Sequence, residues 1–495
     1  MSDTPPTTTE RQRWTALVVL CVGVLMVILD STIVNVALPS IQDDLDFSQS
    51  NLAWVVNAYL IAFGGLLLLA GRLGDLIGRR RIFMIGLATF TLASLACGLA
   101  GSQEVLIAAR FVQGAGGALA SAVILGMIVT MFPRPDEQAR AISVYSFVAA
   151  AGASIGLLAG GVLTEAISWH WIFFVNVPIG AVTAILATRL VEDDEGIGFE
   201  RGADAPGAVQ IVAALMLGVY TIVGIADHGW GSAHTIGWAV VTLALAATFV
   251  GRESTAAHPL VPLRIFGSRV MTGANAVQGL MVAGLFGMFF LGALYLQRVQ
   301  GYDAVQVGLA FLPVALAIGA LSVGVSARLI VRFGARATLL PGLALVAAGL
   351  VWFQRAPVDA TYLVDVFPAV LLLGIGAGLS FPALMTMAMA DATPEDSGLA
   401  SGLVNTTQQV GGALGLAVLV TLSTQRTESL TGSGDSVAEA LTGGYRVAFG
   451  VAAVLVALAF ALAVALLRPA AQPAAEAVYE PGLAPAEADR LEEAA

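Results

Sequence analysis

The sequence predicts an all-α, polytopic membrane protein of fourteen transmembrane helices, built as two six-helix halves with a helical pair inserted between them. Three observations carry that expectation. The 495-residue chain is 58% hydrophobic and only 12% charged, whereas soluble domains carry roughly 25% charged residues. Fourteen apolar stretches are long enough to approach the ~20 residues that span a bilayer. The arginines fall mainly on alternate connections between those stretches.

The stretches run over 14–39, 51–71, 82–101, 105–131, 141–165, 170–190, 206–226, 235–251, 269–297, 304–326, 338–355, 362–390, 398–424 and 445–467. The first is too long for a cleaved signal and lacks a small-residue cleavage site after it. None shows the alternation of a barrel strand. With the N-terminus placed in the cytoplasm, 18 of the 23 basic residues, all arginine, fall on inner loops and tails. Four (Arg298, Arg355, Arg426 and Arg446) fall outside, and Arg110 lies within a span. This bias orients the chain with both termini cytoplasmic in the inner or plasma membrane. Trp14, Trp54, Trp169, Trp171, Trp230, Trp238 and Trp352 all lie near predicted helix ends, as an interfacial aromatic belt requires.

The expected divisions are a cytoplasmic N-terminal tail (1–13), an N-terminal six-helix half (14–190), two inserted helices with flanking loops (191–268), a C-terminal six-helix half (269–467) and a disordered acidic cytoplasmic tail (468–495). The polar, Gly/Ser-rich segment near 425–444 reads as a mobile outer loop. An internal echo supports the two halves. Gly71-Arg-Leu-Gly-Asp75-Leu-Ile-Gly78-Arg79-Arg80-Arg81 aligns without gaps with Ala327-Arg328-Leu329-Ile-Val-Arg332-Phe-Gly334-Ala-Arg336. Duplicated halves related by an axis along the membrane normal are a transporter design. The second copy lacks the aspartate, so the halves are unequal.

Several function classes are excluded or disfavoured. A net charge of −11 argues against nucleic acid. Cys21 and Cys97 sit in separate apolar runs at different expected depths, which speaks against a disulfide or metal site. The chain has no lysine and hence no P-loop. No segment outside the spans is long enough for a sensor domain. Neither an enzyme nor a cofactor is expected.

Four motifs in order give the sequence a family likeness. They are Leu29-Asp30-Ser-Thr-Ile-Val-Asn35-Val-Ala-Leu-Pro39, the Gly71–Arg81 loop, Arg110-Phe-Val-Gln113-Gly114-Ala-Gly-Gly117, and Trp169-His170-Trp171-Ile-Phe-Phe-Val-Asn176-Val-Pro178-Ile-Gly180. Together they resemble the major facilitator superfamily, in particular its fourteen-helix drug:proton antiporter branch, over nearly the whole chain outside the tails. The resemblance implies the major facilitator fold, alternating access, and export of drugs, antibiotics or natural products driven by the proton gradient. Two positions depart from the family pattern. Leu157 stands in the fifth-helix motif where proline is usual, and His170 stands where arginine is usual.

Asp30 lies about fifteen residues, roughly 22 Å, into the first span. A carboxylate there is costly to hold charged, so it either takes a proton or finds a cation. The alternative is that it only caps or packs against a neighbouring helix. Arg110 enters the fourth span on the same half of the membrane, so it is expected to meet Asp30 directly, through Gln113 or through water. Either the pair cycles with conformation or it is a fixed ion pair.

In the loop after the second span, Gly71, Gly74 and Gly78 allow close approach and a tight turn, and Asp75 would latch across the two halves. Arg79, Arg80 and Arg81 also anchor topology. Gly152, Gly156 and Gly160, with Gly161 beside them, give the fifth helix a small-residue packing face.

Polar candidates for a substrate cavity are Asn35, Asn57, Tyr59, Asn275, Gln278, Asn405, Gln408 and Gln409. Apolar candidates are Met281, Phe286, Phe289, Phe290, Met385 and Met389. With Asp30 the one clear mid-membrane acid, monocations, neutral lipophiles or secreted natural products suit the chain better than dications. The partners expected are therefore an amphipathic small molecule, protons and the lipid bilayer, with the protein a monomer. Proton-coupled uptake or lipid translocation on the same fold is the alternative within transport, and a non-transporting membrane sensor is the alternative outside it.

Overall fold

A computed structural model describes residues 10–194, 196, 198, 204–261, 263–390 and 397–467. The expectations for residues 1–9 and for the tail 468–495 lie outside the described residues. In the first half the helices are α1 (Glu10–Asp44), α2 (Gln49–Ile77), α3 (Arg79–Gly98), α4 (Gln103–Met131), α5 (Pro135–Ala166) and α6 (Trp171–Leu190). The inserted pair is α7 (Ala205–Val223) and α8 (Ala233–Thr255). The second half holds α9 (Arg269–Arg298), α10 (Ala304–Ala320), α11 (Ala335–Phe353), α12 (Tyr362–Met389), α13 (Ser397–Gly432) and α14 (Val437–Leu466). A π-turn at Leu321–Val325 continues α10 into a further helix, Ser326–Phe333.

Among the described residues, twelve helices are long and apolar enough to cross a membrane, and two shorter apolar helices, Ile155–Ala166 and Ala304–Ala320, fall at the fifth and tenth predicted stretches. The described residues contain no strand. Helices suit a bilayer because each satisfies its own backbone hydrogen bonds where water cannot. Helix starts are fixed by side-chain oxygens. Ser48 accepts from the Asn51 amide, Ser102 from that of Val105, Ser268 from that of Met271, and Asp303 forms a capping box with Gln306.

One segment corrects the sequence reading. The segment 425–444 is mostly helical, since α13 runs to Gly432 and α14 starts at Val437. The helical extension has identifiable anchors. Trp230 Nε1 donates to Gln425 Oε1 at 3.2 Å, Gln425 Nε2 to the Ile225 carbonyl at 3.3 Å, and Ser436 with Glu439 forms a capping box for α14. Polarity marked the segment as outside the bilayer, but these contacts keep it helical.

The halves meet where α2 packs on α13, α5 on α10, and α1 on α9. The inserted pair attaches through α7, which touches both α2 and α13 and so straddles the seam. Val212 of α7 lies 2.6 Å from where a Gly65 Cβ would stand, and Thr421 Oγ1 donates to the Ile222 carbonyl at 3.0 Å. At the arginine-rich end of the pair, Arg252 Nη2 and Nε bond the Asp204 carboxylate at 2.6–2.9 Å. These hydrogen bonds hold the Asp204 carboxyl below the usual carboxylate range. Asp204 also caps α7 at the Gly207 amide.

Within the first half, α3 and α4 interlock through glycines. A Cβ on Gly86 would stand 2.8 Å from the Gly116 carbonyl oxygen, and one on Gly116 would stand 2.5 Å from the Phe90 nitrogen. Gly116→Ala is therefore expected to destabilise the protein by about 1–3 kcal/mol. Gly237→Ala on α8, where nothing lies within 4 Å, should be neutral or stabilising by up to about 1 kcal/mol. Thermal unfolding of the two purified variants checks the contrast, and equal shifts would contradict it.

Candidate functional site

The polar centre of the first half is a cage around Asp30. α1, running away from the arginine-rich end, delivers Asp30 with 0% exposure, and antiparallel α4 delivers Arg110 with 1% and Gln113 with 0%. Arg110 Nη1 donates to Asp30 Oδ2 at 2.6 Å. Gln113 Nε2 donates to Asp30 Oδ1 at 2.7 Å, and Asn176 Nδ2 of α6 donates to the same oxygen at 2.8 Å. Three N–H donors on one carboxylate favour its charged form. The link expected from sequence as direct, through Gln113 or through water is present both directly and through Gln113.

Arg110 is held independently of Asp30. Its Nε donates to the Val55 carbonyl of α2 at 2.9 Å, and Nη1 donates to Gln113 Oε1 at 2.6 Å. Its guanidinium carbon lies 4.3 Å from the centre of the Tyr59 ring and 5.7 Å from that of Phe173. A cation over aromatic faces is worth up to about 2 kcal/mol when desolvated. Tyr59, expected in the substrate cavity, is thus part of the arginine's surround. Gly114 lets α4 approach this point, because a Cβ there would run into the Tyr59 carbonyl.

Two members of the cage escaped the sequence reading. Ser94 Oγ of α3 accepts from Gln113 Nε2 at 2.8 Å, and Cys97 Sγ lies 3.6 Å from Gln113 Oε1. A hydroxyl and a thiol three residues apart in an apolar run share one helix face, which was the available signal. Asn176 was noticed only as a letter of a motif.

The Gly71–Arg81 loop is tied to its own half. Arg79 Nη2 pairs with Asp75 Oδ1 at 3.1 Å, and its Nη1 reaches the Gly126 carbonyl of α4 at 3.1 Å. The Asp75 carboxylate is taken by the arginine one turn later, a pairing that helical spacing favours; the segment 391–396 that leads into α13 of the second half lies outside the described residues. Gly78 has φ +102, a conformation that favours glycine. Gly74 faces Val123 closely, and a Cβ on Gly71 would meet nothing within 4 Å among the described residues. Asp194, also missed from sequence, accepts from the Arg79 and Arg80 amides at 2.7 and 3.0 Å and so caps α3. Arg80 Nη2 donates to the Thr188 carbonyl at 2.7 Å.

In α5, Cβ atoms on Gly152, Gly156 and Gly160 would meet Leu25, Thr32 and Ile33 of α1. That row is a packing face inside the first half. A Cβ on Gly161 would point the other way, 2.7 Å from the Ala304 carbonyl oxygen of the second half. Leu157, in place of the expected proline, has its carbonyl oxygen 2.6 Å from where a Gly308 Cβ would stand.

The cavity candidates fall in separate settings. Gln278 Nε2 donates to Gln408 Oε1 at 3.4 Å, and Thr407 Oγ1 to Asn275 Oδ1 at 3.0 Å, both across α9 and α13. Gln409 packs against Gly64 of α2. Asn57 is fully buried with both amide atoms unpartnered. Asn35 and Asn405 bond carbonyls of their own helices. Met281 and Phe290 are buried core; Phe286, Phe289, Met385 and Met389 are half-buried, with Phe286 against Gly412.

A clamp closes the arginine-poor end between the halves. Gln297 Nε2 of α9 donates to the Val36 carbonyl of α1 at 2.9 Å. Arg298 Nη2 donates to the Pro39 carbonyl and to Gln42 Oε1, each at 3.2 Å, and pairs with Asp43. The sequence placed Arg298 on the outer side but gave no reason to join it to α1.

Comparison with known proteins gives the family of the chain. A family model described as Major Facilitator Superfamily matches residues 20–416. The chain is 40% identical to the puromycin resistance protein pur8 of Streptomyces alboniger, covering 90% of this chain and 89% of that one. It is 40% identical to the cephamycin export protein CmcT of Amycolatopsis lactamdurans, covering 89% and 90%. The tetracenomycin C resistance and export protein of Streptomyces glaucescens is 34% identical, covering 86% and 79%. The fold is similar to the crystal structure of a bacterial homologue of the human lysosomal transporter Spinster, with TM-score 0.69 and 16% identity over 94% of this chain and 100% of that one. The chain belongs to the Major Facilitator Superfamily and is a multi-pass membrane protein.

The cage makes an energetic prediction. Removing one member of a buried ion pair strands the other, at a cost of about 3–5 kcal/mol. Arg110→Ala should lose about that much stability at a pH where Asp30 stays ionised, and less where it can take a proton. Asp30→Asn should lose no more than about 2 kcal/mol, the scale of one unmet buried hydrogen bond, because Arg110 keeps its other partners. Thermal unfolding in detergent separates the two, and equal losses would contradict the asymmetry.

Proposed function

We propose that the protein exports amphipathic small molecules of the antibiotic or natural-product kind across the cytoplasmic membrane, in exchange for protons bound and released at Asp30. The observation that carries this reading is the asymmetry of the buried pair. The carboxylate has a cage suited to its charge, while the arginine has a carbonyl, an amide oxygen and an aromatic face that remain when that charge is neutralised. Proton binding at Asp30 therefore loosens α1 from α4 without leaving a bare cation.

α1 also bears the clamp. Pro39 lies nine residues beyond Asp30, about 14 Å along the same helix. A shift of α1 on protonation reaches the contacts with Arg298 and Gln297, so one continuous helix, with Pro39 inside it, links the proton site to the closed end. Coupling of this kind needs only that protons and cargo favour different arrangements of the halves. On the orientation set by the arginine bias, the clamped end faces outward, both termini face the cytoplasm, and cargo enters from inside.

The named activities of the relatives support export over uptake and point to secreted antibiotics as cargo. The Gln278, Gln408 and Gln409 amides at the seam suit uncharged or singly charged molecules that are held by hydrogen bonds and apolar contact. The driving force is the proton gradient, no cofactor takes part, and the protein works as a monomer. Leu157 favours a second reading, uptake or lipid movement, because the proline that the family ties to export is absent.

Cells expressing the protein should accumulate less of a fluorescent lipophilic dye, and less puromycin, than cells without it. A protonophore should abolish the difference, and Asp30→Asn should abolish it while the protein remains folded in the membrane. Undiminished efflux by Asp30→Asn would overturn the proton-carrier role, and protein-dependent accumulation would favour the uptake reading.

A further inference from the structure

We infer that Asn176 is a positioning residue whose side-chain amide turns over with the protonation state of Asp30, donating to the carboxylate and accepting from the acid. The inference rests on the proposed role of Asp30 as the proton carrier.

The cage as it stands contains only donors to Asp30: Arg110 Nη1, Gln113 Nε2 and Asn176 Nδ2. A carboxylate is acceptor-only, whereas a carboxylic acid carries one O–H that needs an acceptor. In a fully buried site that acceptor must come from the protein. The neighbouring acceptors are largely spent. Gln113 Oε1 takes Arg110 Nη1 at 2.6 Å and faces Cys97 Sγ. Ser94 Oγ accepts from Gln113 Nε2 at 2.8 Å and from Asn176 Nδ2 at 3.4 Å, and its own hydroxyl donates to the Phe90 carbonyl at 2.8 Å.

One acceptor in the cage is free. Asn176 Oδ1 is buried without a hydrogen-bond partner, although its residue is 0% exposed and the same amide already touches Asp30. A half-turn about the last side-chain bond exchanges that oxygen with Nδ2. When a proton arrives on Asp30 Oδ1, the O–H then donates to Asn176 Oδ1. The unpartnered atom of the amide changes from oxygen to nitrogen, so the number of unmet atoms stays at one.

Gln113 cannot do the same, because both ends of its amide are engaged. The other unpartnered buried groups nearby, Asn57 and the Tyr59 hydroxyl, lie on α2 and are not hydrogen-bonded to Asp30. The charged and titratable groups around the site are Arg110 from α4, Cys97 from α3 and Tyr59 from α2. None of the three offers an acceptor on Asp30.

The test is infrared difference spectroscopy of the reconstituted full-length protein on acidification. The carbonyl band of protonated Asp30 is assigned by its absence in Asp30→Asn. Asn176→Leu, which removes the acceptor, should move that band to higher frequency. It should also lower kcat for proton-driven puromycin transport by about tenfold, the scale of one hydrogen bond lost from one state, with KM unchanged. A band unmoved by Asn176→Leu would overturn this inference while leaving Asp30 as the carrier. An acid band that depends on Asp30 in none of the proteins would overturn the carrier role and this inference together.

Discussion

A carboxylate and a guanidinium removed from solvent inside a six-helix half are the constraint that organises the rest of the molecule. Such a pair returns little net stability, since the attraction barely offsets the cost of drying both ions. Its surroundings show how that cost is met. Four helices, α1, α3, α4 and α6, contribute side chains to one hydrogen-bonded cage, and α2 adds a backbone carbonyl and an aromatic face. The glycines of α4 follow from the same demand. Gly114 brings α4 against the Tyr59 backbone and Gly116 brings it against α3, which sets Arg110 and Gln113 within reach of α1.

The two ends of the molecule are built differently. At the arginine-rich end the Gly71–Arg81 loop is fastened to α4 and to the segment after α6, so the first half moves as a unit there. At the other end the halves are joined directly, side chains of α9 closing on backbone carbonyls of α1. The inserted pair is apart from both. Through α7 it rests on α2 and α13, and α8 touches little but its partner. It is therefore placed to follow the seam rather than to line it.

Much of this was legible in the sequence, for a physical reason. Apolar length and arginine placement report how each segment meets lipid and water, a property of the segment alone, so the helices and their order could be read directly. Asp30 and Arg110 stood out because an ion inside a span is costly enough to be rare. What stayed hidden depends on which helix faces which. Asn176, Ser94 and Cys97 are ordinary residues until α3 and α6 are set beside α1. Asp194 looked like one more acid in a charged run, and Arg298 like one more outer arginine. The helical extension across 425–432 was masked by polar composition, since its support comes from Trp230 and Ile225 almost two hundred residues away.

The most direct test is to count protons. On the proposed reading, cargo and the proton on Asp30 compete through the position of α1, so adding cargo to protonated protein must expel a proton. Purified protein in lightly buffered detergent, mixed with puromycin in the presence of a pH-indicating dye, is expected to release protons in proportion to the amount of protein, and Asp30→Asn to release none. Equal release from both proteins, or binding of puromycin with no release by either, would contradict the account.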